Sequence, residues 1–218
     1  MVASFAEASS PGILGMNNSI LPGLGLGVVI LLLGLVVPKP QDKVAFLDVG
    51  QGDAILIQHG TQQVLIDGGQ GAVVLEELSR EMPWFDRRIE WLIVTHPQQD
   101  HIEGFMHVLS VYDIGAVLLP QAAVESQLQE AWLNELIERE ISYRFSWAGQ
   151  KILLADAQLS ILAPLDTDAT RAATRSDINN ASTIVRLDIH DLSFLLTGDA
   201  ELRVEQELAN AYKGIGVL

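Results

Sequence analysis

The sequence predicts an α/β fold that mixes hairpins with parallel strand connections. Short apolar runs of strand length recur along the chain, helical spacing separates several of them, and short corners join others directly. Strands separated by helices are typical of parallel sheets, whereas strands that follow one another closely pair as hairpins. With 218 residues, 49% of them hydrophobic, the chain is long enough for one domain and an appendage.

An uncharged segment near the N-terminus is predicted to cross a membrane. Residues 20–37 carry no charge, and as a helix they would rise about 27 Å, close to the roughly 30 Å hydrocarbon core of a bilayer. We therefore expect a lead-in at residues 1–19, a transmembrane helix at residues 20–38 and a domain at residues 43–218. A buried core helix is the alternative for the apolar run. Lys39 and Lys43 follow it, and the positive-inside rule would then place the domain in the cytoplasm.

The elements of the domain are predicted from periodicity and turn residues. The first strand, residues 44–49, ends in the Gly50-Gln51-Gly52 turn, and the corner at His59-Gly60 indicates a hairpin. The apolar run at residues 90–95 is typical of a strand buried on both faces. Further strands are predicted at 53–58, 63–67, 116–119, 152–154, 159–162, 183–189 and 192–197. Helices are predicted at 73–82, 101–112, 124–140 and 201–212.

The charge of the domain argues against nucleic-acid binding by surface charge alone. The formal net charge is −15, and Glu7 is the only charged residue before Lys39, so the acidity lies in the domain. Phosphate affinity comes from Lys and Arg displacing counterions, so a polyanionic substrate would need a bound cation or a local basic patch. The chain has no cysteine, which excludes disulfides and thiolate metal sites.

The segment from His96 to His101 is the first candidate site. It follows directly on the predicted buried strand, and open α/β sheets place ligand groups at the carboxyl ends of their strands. Two imidazoles and the carboxylate of Asp100 within this loop favour a divalent metal site. The alternative is an N-capping Asp100 beside two unrelated histidines.

Asp199 is the second candidate, at the end of another apolar strand. Its two oxygens would suit a bridge between two cations about 3.5–4 Å apart, opposite the His96–His101 loop. The alternative is an N-cap for the helix at 201–212.

Acidic and amide residues also stand beside glycines at two earlier strand ends. The segments are residues 48–53 and 65–69, and they either support a site or only form turns. The remaining histidines are not expected to bind a metal. His59 and His190 at predicted corners are expected to face solvent, and His107 is interpreted as a core or surface residue.

These motifs together resemble the metallo-β-lactamase superfamily and, within it, the ComEC competence family. The resemblance covers residues 44–212 and depends on several motifs in the family's order. They are Phe46–Ala54, Leu65–Gly69, the Thr-His-x-x-x-Asp-His-x-x-Gly pattern at Thr95–Gly104, Asn179–Ser182 and Leu195–Glu201.

The resemblance implies a four-layer αβ/βα sandwich with a two-metal centre at one edge. His96, Asp100 and His101 would bind two divalent metals, which Asp199 would bridge. Further residues would support the site, namely Asp48, Gln51, Asp53, Asp67, Gln98, Asn179 and Ser182. Gln98 stands where the superfamily usually has a histidine, and the remaining oxygen-rich set suits Mn²⁺ or Mg²⁺ better than Zn²⁺, which stays possible.

The resemblance also implies a place in DNA uptake. Family members are polytopic membrane proteins that admit transforming DNA, and their soluble domain is thought to be a nuclease outside the cytoplasm. We expect metal-dependent hydrolysis of DNA phosphodiesters at the inner or plasma membrane, with Asp100 or Asp199 orienting the attacking water. The expected partners are DNA held through the metal, the membrane and other competence components. The alternatives are a non-catalytic DNA-guiding module and a small-molecule hydrolase on the same fold.

One family motif is not found in this sequence. Family members continue into a His-His-Gly-Ser segment that supplies another metal-site histidine. The chain is therefore interpreted as a fragment, whose second half-sheet would be incomplete and would leave an exposed edge.

Overall fold

The computed structural model describes residues 42–120, 127–165 and 179–212. The predicted lead-in and membrane segment, and the first residues of the helix predicted at 124–140, lie outside the described residues. Within those three ranges, the structure has no helix that is both long enough and apolar enough to cross a membrane.

The first sheet has six strands, in the spatial order β1-β2-β3-β4-β5-β6. They are β1 (Lys43–Phe46), β2 (Ile55–His59), β3 (Gln62–Ile66), β4 (Arg88–Ile93), β5 (Asp113–Leu119) and β6 (Ser142–Phe145). Strands β1 to β3 pair antiparallel and strands β3 to β6 pair parallel. Each parallel connection contains a helix, as a crossover requires: α1 (Val73–Glu81), α2 (Gln99–Val111) and α3 (Gln127–Glu138).

Strand β6 was not predicted from the sequence. It reads Ser-Tyr-Arg-Phe and all four side chains are exposed, so no buried apolar run marks it. This strand forms because the crossover through α3 brings the segment alongside β5, where the two pair in parallel.

The second sheet has four antiparallel strands, in the order β10-β9-β8-β7. They are β7 (Lys151–Leu154), β8 (Ala157–Ala163), β9 (Ile184–Ile189) and β10 (Leu192–Leu196). A 3₁₀ turn at Asn179–Ala181 precedes β9, and helix α4 (Leu202–Ala211) follows β10. Strand β10 lies at one edge of this sheet, with Leu192 and Leu195 exposed. The predicted incompleteness of the sheet remains a prediction.

Three apolar clusters separate four layers. One cluster packs Leu56 and Leu92 of the first sheet against Phe105 and Trp132 of the helices. A second fills the space between the sheets, including Ile57, Ile93, Leu159 and Leu187. The third packs α4 on the second sheet through Leu162, Ile184, Val204 and Leu208. The described chain is therefore a helix–sheet–sheet–helix sandwich, as predicted.

The central strands are apolar on both sides because both faces of the first sheet are covered. Leu92 points into the helix-side cluster, and its neighbour Ile93 points between the sheets. Such continuous apolar runs are typical of parallel strands in α/β proteins. The polar residues that follow these strands are therefore left at the sheet's edge.

Candidate metal centre

Polar side chains from both sheets meet at one edge of the sandwich. Asp67 follows β3 and His96 follows β4, and these two strands run parallel, so their carboxyl ends coincide. Asp199 follows β10 of the other sheet. A hydrogen bond of 2.8 Å from the Thr183 N–H to the Thr95 carbonyl joins the start of β9 to the end of β4. Because β9 and β10 are antiparallel, this contact brings the end of β10 to the same edge.

Asp67 organises the first sheet's half of this site. It is fully buried, and its Oδ1 accepts the Thr95 N–H at 2.8 Å. Its Oδ2 accepts the Thr95 hydroxyl and lies 2.8 Å from His101 Nδ1. Since a carboxylate only accepts, His101 carries its proton on Nδ1, which leaves Nε2 to face the site with a lone pair.

Two imidazoles face the Asp199 carboxylate. The ring centroids of His96 and His101 lie 4.0 Å apart. His96 Nε2 is 3.8 Å from Asp199 Oδ2, and His101 Nε2 is 3.8 Å from Asp199 Oδ1. These separations are too long for hydrogen bonds. They lie within about half an ångström of the roughly 3.4 Å that separates two ligand atoms of one tetrahedral metal ion with bonds of about 2.0–2.1 Å.

The buried nitrogen of His96 gives an independent test of whether a cation fits here. His96 is fully buried, and its Nε2 finds no hydrogen-bond partner among the described residues. Buried polar atoms in proteins are normally satisfied, so such an atom calls for an explanation. A divalent cation between the two imidazoles and Asp199 would supply the missing partner.

Negative charge concentrates around the two histidines. Ligand atoms of Asp53, His101 and Asp199 all lie within 4.8 Å of one another. Asp53 comes from the β1–β2 loop, where its carbonyl accepts the Gly69 N–H at 2.9 Å. Burial raises the pKa of Asp53, and the charges of Asp67 and Asp199 raise it further. Carboxylates that crowd in this way favour a bound cation.

The surroundings shift the pKa values of the two imidazoles in opposite directions. Burial lowers the pKa of His96, and the neighbouring charge of His101 lowers it further. Burial also acts to lower the pKa of His101, but the hydrogen bond to Asp67 and the charges of Asp67 and Asp199 raise it above its ordinary value. The lowered pKa favours a neutral His96, which can act as a ligand. His101 is fixed in position by its hydrogen bond to Asp67.

Two glycines allow the loops to reach this geometry. Gly52 has φ of +75°, and a Cβ there would lie 1.7 Å from the Asp100 carbonyl oxygen. Gly198 has φ of +51°, and a Cβ there would lie 2.8 Å from the Thr95 Cβ. Both positions combine a left-handed backbone with close packing, which L side chains do not accommodate.

The structure excludes the capping interpretations of the two aspartates. Helix α4 has Glu201 as its N-cap residue, and Asp199 lies outside the helix with its side chain 43% exposed. Helix α2 has Gln98 as its N-cap, so Asp100 lies within the first turn. Asp100 is absent from the described groups of clustered ligand atoms, although its charge contributes to the raised pKa of His101. Its ligand role remains a prediction.

The other candidate residues lie around this cluster to different degrees. The Gln98 amide donates to Asn179 Oδ1 at 2.7 Å, which ties the loop after β4 to the 3₁₀ turn. Ser182 is buried. Asp48 and Gln51 are exposed on the β1–β2 loop. The sequence indicated Asp67 and Asp53 only as supporting residues. Thr95 was named only as part of the family pattern and received no role, because its role depends on contacts across strands.

One histidine expectation is wrong. His190 is exposed, as expected, but the side chain of His59 is only 7% exposed, because its corner packs against carboxylates from other loops. Those partners are Asp42 and Asp156, which lie far from His59 in the sequence and gave no local signal.

Comparison with known families agrees with the fold. Residues 47–216 match the family model described as the metallo-β-lactamase superfamily. The chain belongs to this superfamily. That fold implies divalent-metal binding, and the His/Asp group around His96 and His101 is a candidate position for it.

Within that superfamily, the resemblance to competence proteins is confirmed. The chain is 26% identical over 211 residues to the ComE operon protein 3 of Bacillus subtilis, a match that covers 88% of this chain and 26% of the relative. It is 26% identical over 203 residues to the competence protein ComA of Neisseria gonorrhoeae, which again covers 88% and 26%. The chain thus spans about a quarter of the length of these relatives.

A solved structure shares the fold at low sequence identity. CmlA, a diiron β-hydroxylase from Streptomyces venezuelae, superposes with a TM-score of 0.51 at 18% identity, covering 81% of this chain and 34% of CmlA. At this identity the likeness concerns the fold alone.

Proposed function

We propose that this chain is the metallohydrolase domain of a DNA-uptake protein and that it hydrolyses DNA phosphodiesters with bound divalent metal. The observation that carries the chemistry is the buried Nε2 of His96, unpartnered among the described residues. It faces Asp199 alongside His101 Nε2. The similarity to a competence protein over 88% of the chain supports DNA as the substrate.

The residues that would hold metal are His96 and His101 through Nε2 and Asp199 through both oxygens, with Asp53 and Asp100 beside them. A bound divalent ion lowers the pKa of a coordinated water toward neutrality and neutralises charge on a scissile phosphate. This carboxylate-rich set favours Mn²⁺ or Mg²⁺ over Zn²⁺.

The chain's own groups would position the reactants. Asp67 fixes the tautomer and orientation of His101 through the 2.8 Å contact with Nδ1. Asp199 is partly exposed, so its carboxylate would reach a substrate-side water and orient it, a role that Asp100 would share. Because the chain is strongly acidic, phosphate binding would depend on the bound cations.

The cellular setting belongs to the same proposal. The match covers only 26% of each relative, so the remainder of such a protein would supply the membrane portion and the contacts with other competence components. The domain would then act on the extracytoplasmic side of the inner or plasma membrane.

The test is metal-dependent cleavage of DNA. The purified protein is stripped with a chelator and reloaded separately with Mn²⁺, Mg²⁺ or Zn²⁺, then incubated with single-stranded and double-stranded DNA. We expect cleavage only with metal, and at least a 100-fold loss in His101→Ala. His107→Ala is the matched control, because it removes a half-buried histidine from the same helix outside the cluster.

Two outcomes would reject the nuclease proposal in distinguishable ways. A protein that binds no divalent ion would support the non-catalytic DNA-guiding alternative, which the engagement of Gln98 by Asn179 favours. A protein that binds metal and cleaves a lactone or thioester but no DNA would support small-molecule hydrolysis.

A further inference from the structure

A second group of histidines and carboxylates lies at the opposite end of the sandwich. His59 ends β2, Asp156 lies in the β7–β8 turn, His190 lies in the β9–β10 turn, and Asp42 directly precedes β1. Strands β3 and β10 both start at this end and finish at the candidate metal centre. The two sites are therefore separated by the length of the strands.

The Asp42 carboxylate lies between two imidazoles in this corner cluster of Asp42, His59, Asp156 and His190. Its Oδ1 is 2.9 Å from His59 Nδ1, and its Oδ2 is 2.9 Å from His190 Nε2. Ligand atoms of Asp42, His59 and His190 all lie within 4.8 Å of one another. Both sheets contribute to the cluster, since His59 belongs to the first and His190 to the second.

The hydrogen bonding of His59 leaves one buried nitrogen facing Asp42. His59 Nε2 bonds to Asp156 Oδ1, so a neutral ring carries its proton on Nε2 and a lone pair on Nδ1. That Nδ1 is buried and makes no hydrogen bond with a described residue, because its 2.9 Å approach to Asp42 Oδ1 lacks suitable geometry. The lone pairs of His59 Nδ1 and Asp42 Oδ1 repel at this distance unless a proton or a metal cation lies between the two atoms.

We propose that the corner cluster is a second divalent-metal site that takes Zn²⁺ on three protein ligands, with the fourth position open to solvent. The ligands are His59 Nδ1, His190 Nε2 and Asp42, and Asp156 orients His59. Imidazoles with a carboxylate are a common ligand set of zinc. A metal-binding histidine usually donates its other ring N–H to a carboxylate, as His59 does to Asp156.

The distances are compatible with this assignment. Two ligand atoms each about 2.0–2.1 Å from zinc lie roughly 2.9 Å apart at a ligand angle near 90°, and roughly 3.4 Å apart in a tetrahedral site. The observed separations of 2.9 Å from Asp42 therefore need to open by about half an ångström at most. Asp42 and His190 are exposed at a loop edge, where such a movement disturbs no core packing.

A proton is the competing occupant of this cluster. The hydrogen bond with Asp42 raises the pKa of His190, and the Gly60 N–H, followed by His190, lowers the pKa of Asp42. The alternative arrangement is therefore an ion pair between protonated His190 and Asp42 without metal. Zinc binding distinguishes the two arrangements, because the ion pair alone binds no zinc.

The experiment measures zinc stoichiometry in the full chain. A His96→Ala/His101→Ala protein removes the candidate metal centre, and Zn²⁺ is titrated calorimetrically with metal content checked by mass spectrometry. We expect one equivalent to remain bound. Adding His190→Ala or Asp42→Asn should weaken this binding at least 10-fold, whereas His107→Ala should leave it unchanged.

A second measurement covers the case in which the double variant does not fold. In the otherwise unaltered protein, His190→Ala should reduce bound zinc by one equivalent while Mn²⁺ binding at the candidate metal centre persists. Retention of every zinc equivalent in His190→Ala, or no zinc bound by a folded His96→Ala/His101→Ala protein, overturns the proposal. Neither result depends on whether the protein is a nuclease.

Discussion

At the scale of single residues, the candidate metal centre depends on carboxylates with different tasks. Asp67 is buried and holds its neighbours, whereas Asp199 is partly exposed and faces the two imidazoles. Asp67 also adopts φ of +57°, a left-handed conformation that aspartate and asparagine tolerate better than most residues. Substitutions at these two positions should therefore have different consequences for stability and for metal binding.

Asp67→Asn should weaken both folding and metal binding. The amide keeps the backbone conformation but replaces an acceptor of three hydrogen bonds, which leaves Thr95 or His101 with an unmatched donor. We expect destabilisation of about 2 kcal/mol or more in urea unfolding and a 10–100-fold loss of metal affinity. Asp113→Asn, an exposed aspartate at the start of β5, is the control. Equal behaviour of the two variants would contradict the role given to Asp67.

Asp199→Ala should abolish metal binding at the centre while sparing the fold. Within the described residues Asp199 neither caps α4 nor fills an apolar cluster. We expect the free energy of unfolding of the metal-free protein to stay within about 0.5 kcal/mol of its original value. Calorimetric titration with Mn²⁺ measures the metal, and urea unfolding in chelator measures stability. If the metal-free Asp199→Ala protein unfolds at a clearly lower urea concentration than the unaltered protein, Asp199 has a structural role instead.

At the scale of elements, glycines that pack closely against helix α2 set its position. The Gly104 N–H donates to the Gly69 carbonyl at 3.0 Å, and the Gly68 N–H donates to the His101 carbonyl at 2.8 Å. Gly52 packs on the first turn of the same helix, against Asp100. The orientation of His101 therefore depends on close backbone contacts that any Cβ would displace.

Gly52→Ala and Gly50→Ala form a matched pair that tests this dependence. Both glycines have positive φ, +75° and +81°, but their surroundings differ. A Cβ on Gly52 would lie 1.7 Å from the Asp100 carbonyl oxygen, whereas a Cβ on Gly50 would meet no described atom within 4 Å. We expect Gly50→Ala to cost about 1–2 kcal/mol from backbone strain alone. Gly52→Ala should cost about 1–3 kcal/mol more, because the Cβ forces α2 to move. Urea unfolding measures both, and equal costs would contradict the close packing.

At the scale of the whole molecule, the candidate metal centre joins the two halves of the sandwich. His96 lies in the loop after β4 of the first sheet and His101 in the helix that follows, whereas Asp199 follows the last strand of the second sheet. An ion bound by all three, as proposed, would tie the layers together in the folded protein, whereas the unfolded chain would offer no such cluster. Metal should therefore stabilise the fold by mass action.

Removing metal should lower the melting temperature. At a free metal concentration 1,000 times the dissociation constant, binding contributes about 4 kcal/mol, which corresponds to a shift of about 8–16 °C for a domain of this size. Differential scanning calorimetry with and without chelator measures the shift. Asp199→Ala should lose most of it. A melting temperature that chelator leaves unchanged would show that metal does not link the sheets.

Most of the fold could be predicted because the apolar patterns are local. The strands at 90–95 and 192–197 and the helix at 73–82 were found to within two residues, since each carries an apolar pattern along the chain, even though β10 leaves Leu192 and Leu195 exposed. Strand β6 was missed because its exposed residues carry no such pattern. The predicted membrane segment stays a prediction, since it lies outside the described residues.

By itself, the sequence determined most of the strands and helices of this protein and the chemistry at its strand ends, while the four-layer arrangement was only implied by the family resemblance. Period-two and helical spacing decide which elements form, and histidines and aspartates after apolar strands mark where ligand groups collect. Only the tertiary structure decided which groups meet. Asp67 with His101, Asp199 with both imidazoles, and His59 with Asp42 are pairings between residues far apart in the chain, which the register and stacking of two sheets create.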